Sequence, residues 1–328
     1  MNLNDVAREY RVKYGRAMPT LTLARIMYND NKELFTTVDH ARTKLRYIEG
    51  KSGKVNRAKI KDNKEFLMTE DRPKNPYKLP ESEEAKYEPY ILKASKLAVL
   101  SDIHVPYHSI EAVTCCLDLI SKEKPDTILL NGDTVDFYGL SRFMKDPRKR
   151  SLAHELKALN DLLDILGGFG AKIIYKLGNH DERYLHYLQH KAPELLDIPN
   201  FEFSELLKSS QRNMDIVADK RVIKANKLNI IHGHEYPSVF SPVNIARGLY
   251  MKGKVSALQG HNHQSSTHTE TDMNGDIVTT WSAGCLCELN PAYMPLNKWN
   301  HGFSMVDLSS NGKDFHVRNY RIYKGKIL

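Results

Sequence analysis

Five short strings of metal-binding residue types, each placed soon after an apolar segment, constrain this chain most. The strings are Asp102-Ile103-His104, Gly132-Asp133-Thr134-Val135-Asp136, Gly178-Asn179-His180-Asp181, His232-Gly233-His234 and Gly260-His261-Asn262-His263. An apolar segment that ends at such a string is typical of a buried strand followed by a functional loop. In α/β sheets, ligand-binding residues collect beyond the carboxyl ends of the strands, so we expect all five strings to meet at one edge.

The segments between the strings alternate between strand-like and helix-like patterns. Short apolar segments predict strands over residues 96–100, 127–130, 172–177, 228–231 and 255–258. Apolar residues at helical spacing predict helices over residues 110–121 and 152–166. Two Asn-Gly pairs, Asn274-Gly275 and Asn311-Gly312, predict hairpins, which we assign to a second, largely antiparallel sheet. The sequence therefore predicts an α/β fold class.

The residue types in the strings indicate which metals the protein would bind. Carboxylate, imidazole and amide oxygen together suit borderline divalent ions of the first transition row, so Mn, Fe, Zn and Ni are all compatible. The four cysteines, Cys115-Cys116 and Cys285-x-Cys287, are too few for a disulfide framework and are expected to be reduced. A soft site at Cys285-x-Cys287 is disfavoured because no second cysteine pair completes four ligands.

In order and content, the five strings resemble the calcineurin-like metallophosphoesterase superfamily, whose pattern is D-x-H, GD-x-x-D, GNH-[DE], H and GH-x-H. Every element of this pattern is present, and the resemblance extends over roughly residues 89 to 328. It implies a four-layer αββα sandwich, in which two sheets lie between helices. It also implies a hydrolase that acts on phosphate esters.

The resemblance further implies how the metal ligands are divided between two ions. The first ion would be bound by Asp102, His104, Asp133 and His263, and the second by Asp133, Asn179, His232 and His261. Asp133 would bridge the pair, since a carboxylate has two oxygens. Two such ions, with manganese as the expected metal, clamp the oxygens of an in-line displacement at phosphorus and activate water. The expected reaction is therefore two-metal phosphoester hydrolysis.

Other residues near the strings are candidates for catalysis and substrate binding. His180 follows a ligand position and is the candidate for protonating the leaving group or stabilising the transition state. Asp181 or Asp136 would orient its imidazole, with a structural turn as the alternative role of Asp181. Four side chains are candidates for substrate binding: His108, Arg142, Arg183 and His234. Ordinary solvated charge is the alternative interpretation of Arg142.

The amino-terminal segment carries most of the excess positive charge. The first 60 residues contain 13 basic and 6 acidic residues, a net charge of +7, against +8 for the whole chain. Such a charge distribution indicates a polyanionic partner. Apolar spacing predicts short helices over residues 4–14 and 20–29. A third helix is predicted to begin near Thr36-Thr37, with Asp39 completing a capping box, and to stop at Gly50.

The third predicted helix has a basic face, with Arg42, Lys44 and Arg46, and a basic tail follows it from Lys51 to Lys59. A helix, a turn and a basic helix are typical of DNA-binding helix-turn-helix modules. A bundle whose charges face water, or one that docks on the catalytic domain, is the alternative. We therefore divide the chain into a helix-turn-helix-like module at 1–60, a proline-bearing linker at 61–87 and a catalytic domain at 88–328.

These features favour a phosphodiesterase that acts on nucleic acid, with DNA held by the amino-terminal module. The superfamily includes the nuclease of double-strand-break repair, and a compact chain with an attached helical module is typical of phage or mobile-element proteins. The alternative is a phosphomonoesterase, protein phosphatase or cyclic-nucleotide phosphodiesterase whose amino-terminal helices bind protein. A non-catalytic scaffold is a third hypothesis, which the intact ligand set disfavours.

The expected location is the cytoplasm, with no membrane partner. The amino terminus lacks the apolar stretch of a signal peptide, and no apolar run approaches the roughly 18 residues that a membrane span requires. The sequence makes no prediction of oligomeric state.

Overall fold

A computed structural model describes residues 2–15, 17–60, 75, 77–84, 86–142, 146, 148, 151–236 and 243–328. The chain divides into two compact units, Met1–Ala85 and Lys86–Leu328. Of the predicted linker at 61–87, residues 61–74, 76 and 85 lie outside the described residues. Every helix within the described ranges is too short or too polar to span a lipid bilayer.

The first unit is helical, as predicted. Its helices are Leu3–Tyr14 (α1), Thr20–Asp30 (α2), Val38–Ile48 (α3) and Gly53–Lys59 (α4). Apolar side chains from α1, α2 and α3 form a separate core that includes Val6, Leu23, Met27 and Leu45. Buried Arg11 of α1 pairs with Glu49 at the end of α3 and donates to the Met18 carbonyl oxygen at 2.7 Å. This unit therefore has its own apolar core and its own internal ion pair.

Two details of the first unit differ from the prediction. Thr37, rather than Thr36, caps α3, because its hydroxyl accepts a hydrogen bond from the His40 amide at 3.1 Å. The segment from Lys51 to Lys59, predicted as a basic tail, contains α4. This short helix was missed because its sequence has no apolar periodicity.

The second unit contains two β-sheets. Its strands are Tyr90–Leu92 (β1), Lys96–Leu100 (β2), Thr127–Asn131 (β3), Lys172–Lys176 (β4), Asp215–Val217 (β5), Ile223–Ala225 (β6), Leu228–Ile230 (β7), Ala257–Gln259 (β8), Ser266–Thr271 (β9), Ile277–Ser282 (β10), His301–Leu308 (β11), Phe315–Tyr323 (β12) and Lys326–Ile327 (β13). One sheet has the order β13-β12-β11-β2-β3-β4-β5 and the other the order β1-β6-β7-β8-β10-β9. Strands β2 to β5 pair in parallel.

Helices cover the outer faces of both sheets. The α-helices of this unit are Ile110–Glu123 (α5), Leu152–Gly167 (α6), Arg183–Lys191 (α7), Phe203–Leu206 (α8) and Ile245–Gly253 (α9). Short 3₁₀ turns lie at Tyr138–Leu140, Pro193–Leu195 and Pro199–Phe201. Apolar residues of α5, α6 and α7 pack on the seven-stranded sheet, and Leu249 of α9 packs near the six-stranded sheet. The predicted four-layer αββα sandwich is confirmed.

The alternation of side chains along β2 shows why the layers form. Ala98 and Leu100 belong to the core beneath the helices, whereas Leu97 and Val99 belong to the core between the two sheets. Successive strand residues point to opposite faces, so a strand that is apolar at every position is buried on both sides. A sheet of this kind requires a second layer on each face.

The two predicted hairpins form, but they do not share a sheet. Strands β9 and β10 pair in the six-stranded sheet, and β11 and β12 pair in the seven-stranded sheet, where β11 runs antiparallel to β2. The prediction of one second, largely antiparallel sheet is therefore wrong. Turn signals are local, whereas the partner of a hairpin is chosen by burial against distant strands.

Candidate metal centre

The five strings follow strands from both sheets and meet where those strands end. Strands β2, β3 and β4 precede the first three strings, and β7 and β8 precede the last two. Buried Asn131 links the sheets at this edge, because its side-chain amide donates to the Ile231 carbonyl oxygen at 2.8 Å and to the Ser101 hydroxyl at 3.2 Å. The centre therefore lies between two sheets, and not at the edge of a single one.

The backbone at most of the predicted ligands has an uncommon conformation. Positive φ angles occur at Asp102 (56°), His104 (52°), Asp133 (51°), His261 (67°) and His263 (56°). Residues other than glycine seldom adopt this region, and strained residues of this kind cluster at active sites. The surrounding fold holds these five residues in a conformation that they would not choose in isolation.

Glycines within the strings allow ligands from different strings to approach one another. A Cβ atom at Gly132 would collide with the His232 imidazole, and one at Gly178 would collide with Asp133. A Cβ atom at Gly260 would lie 2.7 Å from Asp102 Oδ2. Each of these glycines is therefore required by a close approach to a predicted ligand rather than by its own loop alone.

Two clusters of candidate metal-binding atoms share Asp133. One consists of Asp102, His104 and Asp133, and the other of Asp133, His232 and His261, with the ligand atoms of each cluster within 4.8 Å of one another. His263 joins the first cluster, since its Nε2 lies 3.2 Å from Asp102 Oδ1. The two clusters contain five of the seven predicted ligands and have Asp133 in common.

Buried atoms without partners indicate that the centre fits divalent cations. Among the buried side-chain atoms without a hydrogen-bond partner in the described residues, five belong to predicted ligands: Asp102 Oδ1, His104 Nε2, Asn179 Oδ1, His232 Nε2 and His261 Nδ1. Such groups are costly to bury unless something compensates them. The oxygen and nitrogen types of these five atoms suit a first-row divalent ion.

Neighbouring groups hold the imidazoles so that one nitrogen stays free for a metal. His104 Nδ1 lies 3.0 Å from Asp136 Oδ1, and His232 Nδ1 donates to the Asn131 carbonyl oxygen at 2.8 Å. His263 Nδ1 lies 3.7 Å from Cys287 Sγ. Contacts of this kind fix the ring orientation and the tautomer of metal-binding histidines. In all three rings the other nitrogen, Nε2, faces a carboxylate oxygen of a predicted ligand, at 3.9 Å for His104, 3.3 Å for His232 and 3.2 Å for His263.

The carboxylates make the centre attractive to positive charge. Burial alone would lower the pKa of His232 and His263, but Asp133 and Asp102, respectively, raise both values to about 10. Burial opposes ionisation of Asp133, yet the charge on His232 lowers its pKa well below the usual value. Burial and the charge of His232 lower the pKa of His261 to about 4. Divalent cations would compete with protons for these sites.

His180 lies beside the ligands and is oriented by Asp136. Its Nδ1 is 3.0 Å from Asp136 Oδ1, and its Nε2 is 3.9 Å from Asp133 Oδ2. The Arg183 guanidinium, a predicted substrate-binding group, lies 3.0 Å from the same Nε2 and donates to the Asp136 carbonyl oxygen at 2.7 Å. Burial opposes protonation, but the carboxylates of Asp133 and Asp136 raise the pKa of His180. A protonated imidazole in this position can donate to a leaving oxygen.

The carboxylate of Asp181 supports neighbouring loops instead of orienting His180, so its predicted catalytic role is wrong and its alternative, structural role fits the contacts. Its buried carboxylate accepts hydrogen bonds from the Asp133 amide at 2.7 Å, the Gly178 amide at 2.8 Å and the Tyr175 hydroxyl at 2.6 Å. These contacts join the loop after β3 to the loop after β4. Asp181 therefore positions Asp133 without facing the imidazole.

The other three predicted substrate-binding residues lie in different surroundings. His234 Nε2 is 3.2 Å from Glu182 Oε1, and its ring centre is 5.3 Å from that of His232, so it lies beside a predicted ligand. His108 is half-buried, and burial lowers its pKa. Arg142 is exposed. Of the four candidates, Arg183 is the one that contacts His180.

A buried ion pair near the second cluster was not predicted. Fully buried Lys176 lies 2.9 Å from Glu235 Oε1, and this carboxylate accepts hydrogen bonds from the His232 and Gly233 amides at 3.0 and 2.6 Å. Burial opposes ionisation, but Lys176 lowers the pKa of Glu235 to about 2. The pair holds the His232 loop. Its only sequence signal was the position of Glu235 directly after the His-Gly-His string.

Glu155 of α6 is a second buried carboxyl group that sequence reasoning missed. It is 1% exposed, and its Oε1 accepts a hydrogen bond from the Tyr138 amide at 3.1 Å. Burial and the charge of Asp136 raise its pKa from 4.5 to about 7. Because the pKa in the folded state lies above its unfolded value, ionisation of Glu155 costs stability as pH rises through this window.

We therefore expect Glu155→Gln to raise the free energy of unfolding of the metal-free protein by roughly 1–3 kcal/mol at pH 8, and by little at pH 4.5. Glutamine retains an oxygen to accept from Tyr138 but carries no charge. Urea unfolding at both pH values measures the effect. Exposed Glu194→Gln is the matched control, and a stability difference that does not depend on pH would contradict the prediction.

Comparison with known proteins identifies a family for this chain. The family model described as "Calcineurin-like phosphoesterase" matches residues 95–274. The chain is 23% identical over 228 residues to the Gene 54 protein of Mycobacterium phage L5, which covers 65% of this chain and 89% of that protein. It is 22% identical over 233 residues to the Gene 54 protein of Mycobacterium phage D29, which covers 66% of this chain and 91% of that protein.

Two of the solved protein structures that are similar to this chain share little sequence identity with it. Vacuolar protein sorting 29 from Cryptosporidium parvum is 13% identical, covers 72% of this chain and 95% of its own, and has a TM-score of 0.41. YfcE, a phosphoesterase from E. coli, is 17% identical, covers 65% of this chain and 88% of its own, and has a TM-score of 0.34.

Proposed function

Because this chain belongs to the calcineurin-like phosphoesterase family, and is therefore a hydrolase of phosphate esters, we propose that it is a two-metal phosphodiesterase that cleaves DNA. The observation that carries the reaction type is the pair of metal-binding clusters that share buried Asp133. The substrate class rests on the basic amino-terminal unit. We propose manganese as the metal and the cytoplasm as the location, where the free cysteines would remain reduced.

Each group of residues in the centre would have a separate role in hydrolysis. When bound, the two ions would supply the nucleophile and neutralise charge on the phosphate. Asp102, His104, Asp133 and His263 would hold the first ion, and Asp133, Asn179, His232 and His261 the second. His180, held by Asp136 at 3.0 Å, would protonate the leaving oxygen. The adjacent Arg183 guanidinium would bind a non-bridging phosphate oxygen, a contact that planar guanidinium groups favour.

The first unit would hold the polymer through phosphate contacts. Its helix α3 has Arg46 exposed and Arg42 and Lys44 half-buried. Cations of this kind release counterions from DNA, so their contribution to binding falls steeply as salt rises. This interaction does not require base recognition, and we assign none to it.

Charge removal in α3 tests this role. We expect the triple variant Arg42→Gln, Lys44→Gln and Arg46→Gln to bind a 20-base-pair duplex on the order of tenfold more weakly at low salt, and its salt slope to be smaller by about three. Fluorescence anisotropy over a range of salt concentrations measures both values. Hydrolysis of bis(p-nitrophenyl) phosphate, compared with p-nitrophenyl phosphate, reports separately on the catalytic unit and on diester preference.

A second triple variant controls for a general effect of net charge on DNA binding. Removing three exposed cations from the second unit, Lys122, Lys124 and Lys157, changes the net charge equally. If the α3 variant binds DNA as the wild type does at every salt concentration, the first unit does not hold the polymer. A protein-binding function of these helices would then be favoured.

A further inference from the structure

The loop between β10 and β11 exposes apolar side chains beside the metal centre. Exposure is 72% for Tyr293, 44% for Met294 and 94% for Leu296. Single exposed apolar residues are ordinary, but adjacent ones beside a reactive centre point to a ligand. Nothing in the hydrolytic role assigned above uses this loop.

The loop has a defined internal structure. The Asn297 side-chain amide donates to the carbonyl oxygens of Leu289 and Met294, and Asn290 donates to the Pro295 carbonyl oxygen at 2.9 Å. The Met294 amide donates to the Pro291 carbonyl oxygen at 2.9 Å. These bonds cross the loop and fix its path. Tyr293 therefore lies in a loop whose backbone is held by internal hydrogen bonds.

Aromatic rings connect this loop to a predicted metal ligand. The Trp299 ring lies 4.1 Å from the His263 ring, and the Tyr293 ring lies 6.4 Å from the Trp299 ring. The Asn300 amide donates to the His263 carbonyl oxygen at 2.9 Å. Desolvation and the charge of Asp136 raise the pKa of Tyr293 to about 12, as expected for a hydroxyl group close to the acidic centre.

We propose that the exposed ring of Tyr293 is a stacking platform for the nucleobase next to the scissile phosphate, with Trp299 packing edge-to-face beside it at an interplanar angle of 64°. Aromatic faces stack on any base, so such a platform strengthens binding without selecting a sequence. A base inside a duplex is stacked on its neighbours and cannot reach the platform. The inferred substrate is therefore a single-stranded segment or an unpaired end. This inference rests on the phosphodiesterase function proposed above.

Two chromogenic diesters with the same leaving group test the platform. Thymidine 5′-(p-nitrophenyl phosphate) carries a base, and methyl p-nitrophenyl phosphate does not. With manganese, we expect the wild-type KM to be lower for the thymidine diester by on the order of tenfold. Tyr293→Ala should abolish this preference, and Tyr293→Phe should retain it. Leu296→Ala is the matched control, because it removes an exposed apolar side chain from the same loop without removing a ring.

A binding measurement accompanies the kinetics. Thymidine 5′-monophosphate should compete more strongly than inorganic phosphate in the wild type and in Leu296→Ala, and equally with it in Tyr293→Ala. Equal KM values for the two diesters in the wild type would overturn the platform while leaving the phosphodiesterase intact. If Tyr293→Ala and Leu296→Ala lost the preference for the thymidine diester equally, the platform would also be overturned. The loop would then be better explained as an apolar surface that binds a protein. Failure to hydrolyse either diester would instead refute the proposed function, and the platform with it.

Discussion

Replacing Asp133 with Asn is expected to remove one bound metal ion per chain and to lower kcat/KM for diester hydrolysis by roughly 10³-fold or more, since both ions are needed to clamp the reacting oxygens. Asp133 is the one residue common to the Asp102 and His232 clusters. Asparagine has the same shape but carries no charge and only one oxygen, so it cannot serve both clusters. Elemental analysis of the dialysed protein and steady-state kinetics measure the two effects.

The structure supplies a control for misfolding in this variant. The Asp133 amide, not its side chain, donates a hydrogen bond to Asp181 Oδ2 at 2.7 Å, so the substitution leaves this contact in place. Exposed Asp219→Asn changes the net charge equally without touching the centre. Both variants should unfold cooperatively in the absence of metal. Added manganese should raise the Tm of the wild type and of Asp219→Asn more than that of Asp133→Asn, because a ligand stabilises the folded state in proportion to its binding. If Asp133→Asn still bound two ions per chain, the proposal that the Asp133 carboxylate bridges them would be wrong.

The strands and ligand strings could be predicted because both signals are local. The strand predicted over residues 127–130 is observed as Thr127–Asn131, and the helix predicted over residues 152–166 as Leu152–Gly167. Each polar string ends an apolar run, and a run that is apolar at every position must be buried on both faces. Parallel strands then bring the string after each of them to a common edge.

The surroundings of the ligands could not be predicted, because they depend on distant parts of the chain. Asp181 directly follows His180 in the sequence, yet the fold commits Asp181 to the Tyr175 hydroxyl and to backbone amides. It is Asp136, 44 residues away, that contacts the imidazole. The Lys176 pair with Glu235 joins β4 to the loop after β7. The sequence of β4 has a lysine at each end, and no sequence signal shows that Lys176 is buried whereas Lys172 is exposed.

Replacing His180 with Gln is expected to lower kcat for cleavage of a DNA diester by roughly 10²- to 10⁴-fold, the range for loss of a general acid. The same change should have a much smaller effect with bis(p-nitrophenyl) phosphate, because p-nitrophenolate leaves without protonation. Metal content should stay at the wild-type value, since His180 is not among the predicted ligands. Comparing the two substrates on one preparation separates proton donation from a general defect.

The pH dependence adds a second readout of the same role. Asp133 and Asp136 raise the pKa of His180 against the effect of burial, so its imidazole is protonated in the lower part of the pH range and loses its proton as pH rises. Wild-type kcat on DNA should therefore fall on the alkaline side, and His180→Gln should lack this limb. Asp136→Asn should shift the limb to lower pH, because Asp136 contacts Nδ1 at 3.0 Å. Equal losses on both substrates with an unchanged profile would leave His180 as a structural neighbour of the ligands, and His234 would become the candidate proton donor.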